Sequence, residues 1–376
     1  MANASGALAQ LNYVTEADWG VTPETPSMKK VRLTSESLAG AIEQIQSQEI
    51  RGDRMIAAVA RGAVDVRGAF NYEFSYGAFD DYIAAALFGS WDTTSKTVTG
   101  NTLSFADSTK TIADSGSGLG DFEAGDVIKV SGSTSNDGYY TVATAGTGSL
   151  VVEESLVDES ASATITIKCE FITAGTTVKA FTMEKWFSDI SKGVVFTGCM
   201  VDTWNLEIRP NQMVTGSFAM SGKDQSFTTS ALGTPTAAAS YDPFEGSQNT
   251  IMIREGGSVI ALVSSVSLSL SNNLGSVYAL GSNSKADIPE GRSNLTGTIS
   301  ALFQDLDLLN KWLNKTPSSL DVRLPDPDGN QIRIYLPNIE FGGSTPQIPG
   351  EETIMLDMPF QALLGTTLGS QILISR

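Results

Sequence analysis

RGAVDVRGAFNYEFSYGAFDDYIAAALFGSW, residues 61–91, changes its hydrophobic period once, and that change decides the fold class. Val64, Val66, Phe70, Tyr72, Phe74 and Tyr76 fall on one side of an extended chain. Asp65, Arg67, Asn71, Glu73 and Ser75 fall on the other. A period of two predicts a long strand with one buried face. After Gly77, the residues Phe79, Tyr82, Ile83, Ala86 and Leu87 take helical spacing with one apolar face. Asp80 and Asp81 stand in the first turn, where carboxylates suit the helix dipole.

The same unit recurs near residues 292–314, RSNLTGTISALFQDLDLLNKWLN. Gly68 matches Gly297, Phe70 Ile299, Tyr72 Ala301 and Phe74 Phe303, each 229 positions on. Gly52 matches Gly281 and Gly62 matches Gly291 at the same offset. The second copy is about two residues shorter before its helix. That helix carries Leu306, Leu309 and Leu313 on one side, with Asp305 as an expected cap. Three glycines and one strand-to-helix switch at a single offset point to duplication of an α+β unit.

Working outward, 376 residues are enough for two domains with ample core. Lys and Arg number 24 against 42 Asp and Glu, a formal net charge of −18. So acidic a chain lacks the clustered cations that grip nucleic-acid phosphates. It also lacks the basic amphipathic helix that favours anionic membranes. The absence of histidine removes the commonest general base and transition-metal ligand. Cys169 and Cys199 read as two buried or half-buried thiols, although one disulfide is possible. The first 20 residues have no basic stretch leading into an apolar core, and no run approaches the ~20 apolar residues of a membrane span. We therefore expect a soluble protein made in a cytoplasm.

Residues 1–30 read as an N-terminal arm, extended by Pro23 and Pro26. Val31, Leu33, Ser35 and Ser37 then alternate as a strand. GAIEQIQSQEIRGDRMIAAVARG has neither period and reads as a long exposed excursion. Residues 92–168 turn abruptly to Thr, Ser, Gly and Asp, with strands expected near 102–105, 126–130, 139–143 and 150–152. This module has no counterpart in the second copy and reads as an inserted, solvent-facing β domain with 11 acids against 4 bases. The first unit is thus discontinuous, 31–91 and 169–223. KAFTMEKWFSDI reads as strand then turn. Two further strands join across residues 210–212, and Asp202 breaks the apolar face of Met200, Trp204, Leu206 and Ile208. Residues 224–243 read as a linker and 244–376 as the second unit. Its opening strand runs through Ile260, Leu262, Ser264, Val266, Leu268 and Leu270, a PDPDGN hairpin follows, and 354–363 is the closing strand.

Asp326, Asp328 and Asn330 faintly suggest a calcium loop, but the short span and Pro327 favour a turn. Gly116, Gly118 and Gly120 lead into no helix, which argues against a phosphate cradle. Ser27 and Lys30 have Ser-x-x-Lys spacing inside the Pro-flanked arm and are incidental. Carboxylates are plentiful, yet nothing places two in one cleft. No catalytic constellation or cofactor emerges, and we expect a non-enzyme.

The runs YVTEADWGVTPETPSMKKVRLTSESL, QSQEIRGDR, SYGAFDDYIAAALFG and VVFTGCMVDTWNLEIRPNQMVTGSFAMSGK together resemble a family of bacteriophage tail tube proteins. SVSLSLSNNLGSVYALGS and GRSNLTGTISALF resemble the same family in the second half. The module at 92–168 resembles a small decoration domain of several phage proteins. The resemblance implies an α+β, mainly β fold: two copies of a β-sandwich or half-barrel with a flanking short helix, plus the inserted all-β domain. It implies sheets joined edge to edge into rings that stack into a tube. The implied partners are other copies of the chain, the tape-measure protein, the tail terminator and distal tail proteins. DNA would pass through the lumen without specific binding. Two units per chain lead us to expect three chains per ring with pseudo-sixfold symmetry. The exposed stretch holding Arg51, Asp53, Arg54, Met55, Ile56 and Arg61 is the expected contact between subunits or rings. The inserted module should project outward, because a bulky lumen insertion would block passage. An acidic surface adhesin or carbohydrate-binding module is the rival reading.

Overall fold

The computed structural model describes residues 3–161, 164–247, 251–260, 262–343, 345–348 and 350–376. In chain order, the principal elements are β1 (Ala9–Thr15), β2 (Ala39–Gln46), β3 (Val59–Glu73), α1 (Asp80–Ala86), β4 (Phe181–Phe187), β5 (Lys192–Ile208) and β6 (Thr215–Gly222). They continue as β7 (Met252–Glu255), β8 (Val263–Ser271), β9 (Asn294–Leu302), α2 (Asp307–Leu313), β10 (Ser318–Pro325), β11 (Gln331–Phe341), β12 (Met355–Ala362) and β13 (Leu373–Ser375).

Eight of these strands form one antiparallel sheet in the order β2-β3-β6-β5-β8-β9-β12-β11. A second layer packs on it. Its strands are β1 and β4, continuing into the first half of β5, and β7 and β10, continuing into the first half of β11. The core lies between the layers. Its centre is aromatic: Tyr82 of α1 stands 4.7 Å from Tyr13, 4.8 Å from Phe70 and 5.0 Å from Phe181, centroid to centroid. Trp204 Nε1 donates to the Tyr72 hydroxyl at 2.7 Å, so the one polar end of each ring is satisfied.

The two strand-helix stretches occupy equivalent places. β3 pairs with β6 and is followed by α1; β9 pairs with β12 and is followed by α2. Gly68 lies opposite Met220 and Phe70 opposite Phe218; Gly297 lies opposite Phe360 and Ile299 opposite Met358. The matched residues therefore hold matched ladder positions.

Several expectations are corrected. The expected arm contains β1, where Leu11, Asn12, Tyr13 and Val14 are buried in succession. Both faces are covered, so the alternation of a half-buried strand is missing. Met1 and Ala2, the start of that arm, lie outside the described residues. Residues 31–37 are mostly a crossing between layers: Val31 N donates to Leu11 O, Thr34 N donates to Asn71 O, and only Ser35–Glu36 is strand. The excursion is largely a hairpin arm, since β2 runs to Gln46 and β3 begins at Val59. Its strands are exposed on both sides and held by the ladder alone, so no hydrophobic period marks them. The expected linker opens with a strand, Asp224–Thr228, paired to the first half of β5. β8 starts at Val263 because Leu262 takes φ 62°, and Ile260 lies before it. β12 does not close the chain: β13 follows and pairs with both β11 and Phe171–Thr173. The break at Asp202 is a bulge, where the β5–β6 register shifts between Val201 and Thr203.

The helices also differ from expectation. α1 is buried all round from Tyr82 to Ala86, enclosed rather than amphipathic. In α2 the expected apolar side is largely uncovered: Leu306 and Leu313 are exposed and Leu309 is half-buried. Asp305 does accept the Asp307 N–H at 3.0 Å.

Candidate functional site

The two halves of the eight-stranded sheet meet at β5 and β8. Six residue pairs join them, from Thr203 opposite Ser271 to Ile208 opposite Val266. Trp204, Leu206 and Ile208 turn inward with Leu270, Leu268 and Val266, while Asn205 and Glu207 face outward with Ser269 and Ser267. The outward face is a trough of about 870 Å³.

Ladder registers carry one row of side chains from the short strand Ser35–Glu36 across seven of the eight strands, β3 to β11. It reads Ser35, Asn71, Ser217, Asn205, Ser269, Thr296, Gln361 and Glu340. Asn71 Nδ2 donates to Ser35 Oγ at 2.8 Å, Asn205 Nδ2 to Ser217 Oγ at 3.1 Å and Ser269 Oγ to Asn205 Oδ1 at 2.7 Å. The next row holds Glu73, Thr215, Glu207, Ser267, Thr298 and Pro359. These two rows present small polar groups and three glutamates, with no Lys or Arg. The cation next to these rows, Arg209, is paired with Glu207 at 2.5 Å.

The hairpin arm beyond β2 and β3 carries the residues expected to make contacts. Arg51, Asp53, Arg54, Met55, Ile56 and Arg61 are all exposed. Arg51 Nη2 pairs with Asp53 Oδ2 at 2.9 Å, and Asp53 Oδ1 accepts the Met55 N–H at 3.1 Å. Arg54 takes φ 62° at the tip. Carboxylate and guanidinium here order the turn rather than form a binding pocket.

Residues 92–168 fold as a seven-stranded sheet around Leu103, Ile112, Ile128, Val142, Leu150 and Ile167. The expected strands are present, and strands at Thr97–Gly100, Thr111–Asp114 and Ile165–Lys168 had no sequence signal strong enough to single them out. The module is not wholly solvent-facing. Glu153 pairs with Arg254 at 2.7 Å and with Arg323 at 3.0 Å, and Arg323 also donates to Thr141 Oγ1 at 2.9 Å. Asp321 holds Arg323 and Arg333 at 3.0 and 2.9 Å. Burial works to raise the Glu153 pKa, but the two guanidinium groups outweigh it and hold the carboxyl below its ordinary value. Arg323 alternates along β10 with buried Leu320, Val322 and Leu324. The module therefore docks on the face of the second layer that points away from the core, opposite the trough.

A family model described as phage tail tube protein matches residues 6–362. The chain belongs to the phage tail tube protein family. A comparison with curated proteins finds no match. Membership makes this a structural component of the phage tail.

Features of this tail tube protein weighed as chemical sites have structural roles. In the 325–331 turn, Asp326 accepts from Asn330 N at 2.7 Å and Asn330 Nδ2 at 2.8 Å. The glycine run at 116–120 wraps an internal carboxylate: Asp114 accepts from Gly116 N and Gly118 N at 2.9 and 2.7 Å. Cys169 and Cys199 are both buried and unpaired. Among the described residues, no group of three or more His, Cys, Asp and Glu is placed to hold a metal, and no helix is long and apolar enough to cross a membrane. Sequence reasoning missed the polar row, although the alternation SVSLSLS in β8 already separated its two faces. It also missed Lys285, which is buried with its Nζ 2.7 Å from Asp65 and 2.8 Å from Ser221 Oγ. No local signal marks that lysine, because its partners lie more than 60 positions away.

Proposed function

We propose that this tube subunit forms a ring of three chains with pseudo-sixfold symmetry, and that stacked rings enclose the tape-measure protein and later conduct DNA. The observation that carries this reading is the β5–β8 ladder. It joins the two repeated units edge to edge within one chain, as separate subunits would be joined in a ring. The units are 31–91 with 169–223, and 244–376, with 92–168 inserted and 224–243 between them.

Eight strands per chain give 24 strands for three chains. At a spacing of about 4.8 Å and a tilt of about 40°, 24 strands close into a barrel roughly 48 Å across between strand axes. Side chains take about 5 Å from each wall, half the usual sheet-packing distance. The remaining channel is several α-helix diameters wide, at about 10–12 Å each.

The polar trough is the lumen wall in this reading. Duplex DNA carries a charge every ~1.7 Å, and like-charged walls repel it over a Debye length of ~8 Å. Glu73, Glu207 and Glu340 on the trough, with the neighbouring Arg209 paired to Glu207, support passage without adhesion. The exposed loop of Arg51, Asp53, Arg54, Met55, Ile56 and Arg61 makes the contacts between subunits or rings. The module sits outside the tube, as its docking opposite the trough supports, and serves as decoration. No catalysis and no cofactor are required.

Electron microscopy of the purified protein, with its solution mass, tests the reading. Hollow rings or tubes containing three chains per ring are expected. Six chains per ring would overturn the stoichiometry, and a strict monomer that never assembles would return weight to a surface-binding role.

A further inference from the structure

Residues 45–68 and 274–297 align without a gap at the offset of 229. Their environments are opposite. Leu274, Lys285 and Ile288 are 9, 0 and 2% exposed, because the first unit covers them. Leu274 and Ile288 cluster with Phe88, Ala180 and Met200, and Lys285 reaches Asp65 and Ser221. The same three positions in the first unit hold Ile45, Ile56 and Val59, which are 54, 59 and 52% exposed. Three aliphatic side chains in water, each at a position buried in the other copy, describe a surface without its partner.

The backbone says the same. β8 gives its outer edge to β5, whereas β2, its counterpart, pairs with β3 alone. At the far end of the sheet, β11 pairs with β10 as far as Ile339 and with β12 over 339–341, which leaves Glu340 and Phe341 with one strand partner each. An open edge is a template for another strand.

We infer that a second copy of this chain covers this surface: β2 and the loop at 45–59 of one copy seat on the β9–β12–β11 end of the next, repeating the joint made inside the chain. This rests on the ring reading above and names its contact. Ladder registers identify the receiving positions. Asn294 stands where Asp65 stands, Gln361 where Ser221 stands and Glu340 where Met200 stands. The chemistry is matched at both places. Inside the chain a buried ammonium, Lys285, meets a carboxylate, Asp65. Between chains a neutral Ile56 meets a neutral Asn294, so this position buries no unpaired charge, while Glu340 brings a carboxylate to the edge of the patch where Met200 packs inside the chain.

The test introduces Ile56→Cys and Asn294→Cys together in the full chain and oxidises it under assembly conditions. Cross-linked species ending at three chains on a denaturing gel are expected. Ile56→Asp should leave the melting temperature within a degree or two and raise the concentration for half-assembly at least tenfold. Ile56→Lys should also weaken assembly, and adding Asn294→Asp should recover most of the loss. Rings that form without the cross-link, or an Ile56→Lys/Asn294→Asp double variant no better than Ile56→Lys, would overturn this contact and leave the tube reading standing. Wild-type protein that never self-associates would overturn both.

Discussion

Gly68 and Gly297 match in sequence, yet different neighbours exclude a side chain at each. At Gly68, φ is +150° and a Cβ would collide with the backbone of Ser37 and Leu38, just before β2. At Gly297 the obstacle is the Phe360 ring and the Ser267 carbonyl, with no unusual φ. Gly52 meets nothing. Gly68→Ala should therefore cost more than about 2 kcal/mol, combining backbone strain with overpacking, while Gly52→Ala should fall within about 0.5 kcal/mol of wild type. Urea unfolding of the two variants checks this, and equal costs would reject the close-approach explanation. The thiols give a second residue-scale expectation. Burial, with help from Asp126, pushes Cys169 up to about 12, and burial likewise raises Cys199. Neither should react with a thiol reagent near pH 8 until the protein is unfolded; rapid native labelling of either would contradict its burial.

At the scale of elements, legibility followed burial geometry. β3 alternates because one face is core and the other trough, so its period was plain in residues 61–91. β1 is buried on consecutive residues, so its sequence reads as an arm; β2 is exposed along most of its length, so its sequence reads as an excursion. A period needs two faces with different surroundings, and neither strand has them. The module's docking belongs to this scale too, since Glu153, Arg254 and Arg323 come from three strands or their ends. Glu153 has its folded pKa below the unfolded value. Its contribution is thus complete above about pH 4.3, the ordinary glutamate value, and is lost as pH falls through the lower folded value. Hydrogen exchange in β10 and at 149–153 should accelerate below about pH 4, and Arg254→Gln should shift that onset upward. An onset unchanged by the substitution would show that the ion cluster does not hold the module.

For the whole molecule, the decisive feature is that both strand-helix stretches lie in one sheet. Charge on the shared trough should govern transport more than assembly. Glu73→Lys with Glu207→Lys places cations where a phosphate backbone would pass. Tubes should form normally while DNA ejection slows, measured on phage carrying the variant; unchanged ejection would count against the trough as lumen wall.

Composition and periodicity alone determined the mainly β class, the lack of histidine chemistry, the repeated strand-helix stretch and the change of character at residue 92. These depend on residue identities and short spacings, which a chain carries without being folded. The polar row, the burial of Lys285, the seating of the module and the open edges were decided by tertiary structure alone. Each depends on which strand lies beside which. Partners such as Asn205 and Ser269, or Asp65 and Lys285, lie 64 and 220 positions apart, and only pairing brings them together.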